Sequence, residues 1–127
     1  MKPLLRTALI ITGIYLILLG ILYLFAPSTA ELLLRVPLPD RATAMIYGVA
    51  NLAVASLCLT AVFHNQITQN EFRFLLTFCG LHGLLFGLFV PLGIYSPAQA
   101  VPPSLIWGVL NGLLVFGGRN KSSLSAT

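Results

Sequence analysis

The chain holds only ten charged side chains among 127 residues, and their placement leaves three long stretches with none. Arg6 and Glu31 bracket 24 uncharged residues (7–30), Arg41 and Glu71 bracket 29 (42–70), and Arg73 and Arg119 bracket 45 (74–118). A helix needs about 20 mostly apolar residues to cross a hydrocarbon core of about 30 Å. The first two gaps fit one span each. The third is long enough for two and is broken by Pro97, Pro102 and Pro103. The expected fold is therefore all-α, an integral membrane four-helix bundle forming a single membrane domain over residues 1–127. Its helices are expected at 7–26, 42–63, 74–95 and 103–118. The fourth is short, but a short span is accommodated by bilayer thinning and by snorkelling of flanking basic residues.

The same charges orient the chain. Lys2, Arg6, Arg73, Arg119 and Lys121 fall on the side of the N-terminus, against Arg35 and Arg41 on the other. Under the positive-inside rule that split puts both termini in the cytoplasm. A charged fraction of 8%, against roughly 25% in soluble domains, excludes most soluble enzymes and disordered chains. No basic patch exists to hold phosphates, so no nucleic-acid partner is expected. Lys2, Arg6 and Ser28-Thr29-Ala30 resemble the flanks of a signal peptide, but the apolar run between them exceeds the usual 7–15 residues or so, which favours a retained helix.

The connections carry their own signals. Ser28-Thr29-Ala30-Glu31 fits a capping box, and Leu32, Leu33, Leu34 and Val36 follow before Pro37 and Pro39. This predicts a short interfacial helix at about 29–36 with Glu31 and Arg35 in water. Asp40 reads as the N-cap of the next span. His64 to Arg73 reads as a polar hairpin turn, Ser96 to Ser104 as an uncharged loop on the membrane surface, and Asn120 to Thr127 as a polar tail.

The most specific pattern is an internal repeat. Ile46-Tyr47-Gly48-Val49-Ala50-Asn51 matches Ile106-Trp107-Gly108-Val109-Leu110-Asn111, and Gly13-Ile14-Tyr15 with Gly20 matches Gly80-Leu81-His82 with Gly87. Two matches in the same order point to duplicated helical hairpins, parallel repeats related by a pseudo-twofold axis along the membrane normal. Gly13 and Gly20, Gly80 and Gly87, and Gly48 and Gly108 beside their asparagines are then expected to be helix-packing positions.

Four hydrogen-bonding side chains, Tyr15, Asn51, His82 and Asn111, fall near the middle of their spans. A polar group left unpaired in hydrocarbon costs several kcal/mol, so these should meet one another or line a wet cavity. Two readings of the cluster stand side by side: a packing device, or a site for a ligand, proton or cofactor. The other histidine, His64, lies at a helix end, which disfavours bis-histidine haem ligation within one chain. No carboxylate lies within a span, so neither a metal nor any other cofactor is implied. Cys58 and Cys79 read as buried free thiols, and Pro91 as a kink near the end of the third span. No nucleophile–base pair, paired carboxylate or phosphate loop is present, so an enzyme is not expected.

The stretch from Gly13 to Leu59, with Tyr23-Leu24-Phe25-Ala26-Pro27, then Val36-Pro37-Leu38-Pro39, then Tyr47-Gly48, resembles the DoxX-like small four-helix bacterial membrane proteins. The resemblance implies a four-helix fold in the bacterial inner membrane, often tied to a larger membrane or redox system, and supplies no catalytic residue. Three functional expectations follow. The first is a non-enzymatic accessory, assembly or scaffold subunit, whose partners are the lipid bilayer and another membrane protein or further copies of itself. The second is a carrier or binder of a small apolar or weakly polar molecule at Tyr15, Asn51, His82 and Asn111. The third is a quinone- or haem-linked oxidoreductase component.

Overall fold

A computed structural model describes residues 1–34 and 40–119. Five helices follow one another: α1 (Pro3–Phe25), α2 (Pro27–Leu34), α3 (Arg41–Phe63), α4 (Gln69–Phe89) and α5 (Pro97–Gly118). All but α2 are long and apolar enough to cross a membrane, at 21 to 23 residues each, or about 32 to 35 Å at 1.5 Å per residue. The chain is a multi-pass integral membrane protein of helix-bundle type.

Local chemistry sets the boundaries. Asp40 caps α3 as its position suggested: Oδ1 accepts from the Thr43 amide and Oδ2 from the Thr43 hydroxyl, both at 2.8 Å. These bonds hold the Asp40 carboxyl below the usual carboxylate range. Asn65, just past the α3 C-cap, takes the left-handed conformation (φ 54°) that asparagine tolerates better than most residues. Thr68 and Glu71 then form a capping box that opens α4, with Glu71 Oε2 accepting from the Thr68 amide at 2.7 Å.

Four expectations on boundaries are corrected. The span expected at 74–95 begins earlier, at Gln69, where the Thr68 cap fixes it, and ends at Phe89. Pro91 therefore lies beyond the helix instead of kinking it: it donates no N–H, and the helix ends there although Val90 before it still has helical φ and ψ. The chain reverses through Gly93 (φ 70°). The surface loop expected at 96–104 is helical from Pro97, since Gln99 Oε1 accepts from both the amide and the hydroxyl of Ser96 at 2.9 Å. Pro102 and Pro103 stand inside that helix, at its sixth and seventh positions: their fixed φ suits it, and the N–H groups they lack leave the carbonyls of Ala98 and Gln99 without a partner four residues on. Finally, α2 starts at Pro27, so Ser28 lies inside its first turn and not at the cap position. The expectations for Arg35 to Pro39 and for Asn120 to Thr127, Lys121 included, lie outside the described residues.

The packing order is α3–α1–α5–α4. The tightest pairs are α1 with α3 and α4 with α5, joined through α1 and α5, while α3 and α4 barely touch. At the near end, where α1 starts and α3 turns into α4, the helices close tightly. A Cβ on Gly117 would sit 2.8 Å from Leu5 Cα, and one on Gly118 would overlap the Phe72 ring. Leu5, Leu9, Leu16, Leu75 and Leu114 fill the space between, together with Cys58 and Cys79, which are free and fully buried.

Glycine contacts divide the two hairpins. In α1 and α3, a Cβ on Gly20 would lie 3.0 Å from Gly48 O and 2.6 Å from Leu52 Cγ, and one on Gly48 would lie 2.9 Å from Gly20 O. Gly13 faces Cys58 in the same seam. In α4 and α5, Gly80 meets Asn111 and Gly83 meets Trp107, but Gly87 and Gly108 have no neighbour within 4 Å of an added Cβ. Those last two are not packing positions, because both are exposed and an added Cβ would face open space.

Candidate functional site

Where the helices part, they enclose a cavity of about 370 Å³. It runs from mid-depth to the far end, where α1 finishes, α3 begins and residues 90–96 turn. All four membrane helices line it. Tyr15, Leu19 and Tyr23 recur every fourth residue on α1, Tyr47 and Asn51 on α3, and Pro103 and Trp107 on α5, while α4 contributes His82, Leu85, Phe86 and Phe89. Leu34, Thr43, Ile94 and Tyr95 complete the wall. Tyr47, Leu85 and Ile94 line it while remaining 44%, 45% and 55% exposed, so the cavity has a mouth.

The floor is an aromatic stack. The His82 ring lies between Phe78 (centroids 4.3 Å apart) and Trp107 (4.6 Å). Tyr15 meets Trp107 edge to face at 5.6 Å. Trp107, only 3% exposed, thus joins the two hairpins through its ring. Nearer the mouth, Phe86, Phe89 and Tyr95 pack together at 5.2 to 6.2 Å, and Tyr23 lies 6.2 Å from Tyr47. Burial, with Tyr47 nearby, pushes the Tyr95 phenol above its ordinary pKa.

Of the four polar residues singled out in the sequence, Tyr15, Asn51 and His82 share this cavity and Asn111 does not. Asn111 lies on the side of α5 that faces α4, its Nδ2 against Gly80, and its buried Oδ1 has no hydrogen-bond partner. Within the cavity, Asn51 Nδ2 donates to Tyr47 O at 2.8 Å, and its buried Oδ1 has no partner. His82 Nδ1 lies 2.8 Å from Phe78 O. A carbonyl only accepts, so Nδ1 carries the proton and Nε2 keeps its lone pair.

The sequence reading missed Trp107 as a site residue, along with the tyrosines at 23, 47 and 95 and the phenylalanines at 86 and 89. A signal was there: aromatic and polar residues recur at helical spacing along each span. The same spacing also describes ordinary helix packing, which made it uninformative alone.

The site can hold a mostly apolar molecule against aromatic faces and offer it a few polar contacts. Among the described residues, no three His, Cys, Asp or Glu side chains gather to form a metal centre. Comparison of the chain with family models, curated proteins and solved structures gives no match.

Proposed function

We propose that this chain is a non-enzymatic carrier or binder of a small, largely apolar molecule, working in the bacterial inner membrane with both termini in the cytoplasm. The observation that carries the reading is the aromatic cavity, with Asn51, whose buried Oδ1 is unpaired, among its lining residues. A native interior usually satisfies its buried polar atoms and fills its voids. This one does neither, as suits a space shaped for an occupant. Cytoplasmic termini draw on the five-to-two split of basic residues; with that orientation the cavity mouth belongs to the outer half of the bilayer.

Native mass spectrometry of the full chain in mild detergent tests the reading. Wild-type protein should retain a small non-protein mass, and Leu19→Phe, which adds bulk to the cavity wall, should lose it. Protein that carries no adduct after extraction from its own membrane and saturates with no added apolar probe would count against a binder.

A second reading, an accessory or scaffold subunit of a membrane complex, draws on α4, only 17% of whose apolar window is buried within this chain. A heteromeric complex seated on α4 and surviving detergent would favour it. The DoxX-like resemblance of residues 13–59 is compatible with both.

A further inference from the structure

The two polar side chains at the heart of the cavity are wired alike. Asn51 donates through Nδ2 to Tyr47 O, and His82 donates through Nδ1 to Phe78 O. Each bond is 2.8 Å long and reaches four residues back along the same helix. A backbone carbonyl cannot donate, so these bonds fix both the amide orientation and the imidazole tautomer. What His82 then keeps is an acceptor, the lone pair of Nε2; Asn51 keeps the acceptor Oδ1 and the second hydrogen of Nδ2. Asn51 is 3% exposed and its Oδ1 has no partner. It lies on α3, across the cavity from His82 on α4.

From this we infer that the cavity selects a lipophilic molecule bearing a hydroxyl, a fatty or polycyclic alcohol or a phenol, over the same skeleton with that hydroxyl masked. The inference rests on the binder reading above and specifies the chemistry of its occupant. An O–H donates to Asn51 Oδ1 or His82 Nε2 and relieves a buried acceptor. An ether or a ketone brings only another acceptor and leaves the protein's acceptor unpaired. The other polar atoms of the wall do not oppose this choice. The phenols of Tyr15, Tyr23, Tyr47 and Tyr95 rotate and can donate or accept, the Thr43 hydroxyl is given to Asp40, and the second amide hydrogen of Asn51 can donate to the oxygen of an alcohol or an ether alike. The aromatic faces of Trp107 and Tyr15 accommodate either skeleton.

Trp107 supplies the readout, because it is the single tryptophan of the chain and lines the cavity. Full-length protein in lipid nanodiscs is titrated with bromonaphthol and, separately, with its methyl ether, whose bromine quenches tryptophan on contact. The alcohol should quench saturably with an affinity on the order of tenfold or more above the ether. In Asn51→Leu the gap should shrink to about twofold, through loss of alcohol affinity. If that variant does not fold, His82→Phe gives the parallel measurement, and the wild-type comparison stands in any case. Equal affinities, or a preference for the ether, overturn the hydroxyl inference while leaving the binder reading in place. Quenching by both that rises linearly without saturation overturns the two together.

Discussion

The two hairpins use their glycines in opposite ways. In the α1–α3 pair, Gly20 and Gly48 bring the backbones to van der Waals contact at the far end, and the seam runs closed along its length. In the α4–α5 pair, the positions that the sequence aligns with them, Gly87 and Gly108, face open space, and the glycines that meet the other helix are Gly80 and Gly83. Similar motifs thus face a tight seam in one pair and open space in the other. A glycine permits close approach but does not compel it; approach also needs matching surfaces on both helices. On α4 the aromatic side chains of Phe86 and Phe89 pack with Tyr95 beyond the helix end. Both pairs line the cavity, and the closed α1–α3 seam gives it a firm wall.

The contrast can be broken at its strongest point by removing the ring that spans both hairpins. Trp107→Ala should cost about 3 kcal/mol or more in thermal or denaturant unfolding, as truncation of a buried tryptophan usually does. Tyr47→Ala, at the aligned and half-exposed position in α3, should cost about 1 kcal/mol or less. Comparable losses would mean that the hairpins are more alike than their packing indicates.

Next in size are the glycines themselves. Gly20→Ala forces a methyl against Leu52 and Gly48 and should destabilise the protein by about 1–3 kcal/mol. Gly87→Ala meets open space and should be neutral or stabilising by up to about 1 kcal/mol, through its better helix propensity. Melting temperatures measured side by side in one detergent decide this; a cost at Gly87 equal to that at Gly20 would show that Gly87 is packed after all.

A smaller effect is expected inside the bundle. Thr12 is fully buried in α1 and its hydroxyl has no partner. Thr12→Val keeps the shape and removes the orphan, so stability should be unchanged or rise by about 1 kcal/mol. A loss would reveal a bond to that hydroxyl.

The smallest concerns the cap of α3. Because the folded state lowers the Asp40 pKa, the carboxylate's contribution is fully present above its unfolded value and is lost as pH falls through the lower folded one. Amide exchange at Thr43, corrected for its intrinsic pH dependence, should therefore quicken at acid pH in wild type. In Asp40→Ala that acid step should vanish.

Much of this was legible because lipid is an unforgiving solvent. Ten charges mark four spans, and Tyr15, Asn51 and His82 attract notice because polar groups at mid-membrane need a reason. The start of α5 was hidden because Pro102 and Pro103 read as breakers, whereas the deciding residues were Ser96 and Gln99, whose cap starts the helix six residues before the expected 103. Pro91 misled in the other direction, since a proline that kinks and a proline that stops look the same until the turn at Gly93 is seen. Asn111 repeats Asn51 in sequence yet faces α4 instead of the cavity. Which face of α5 turns inward depends on how that helix docks against α1 and α4, a tertiary choice that a motif does not encode.

The order α3–α1–α5–α4 has a consequence for how the protein is made. The closed seam needs only residues up to Phe63, so it can zip while the ribosome is still adding the rest, as domains and their parts do during synthesis. The cavity floor needs Trp107, and Trp107 reaches Tyr15 only when the last helix settles against the first. Occupancy of the cavity therefore reports a finished chain. An interrupted one would display a stable hairpin with nothing to hold.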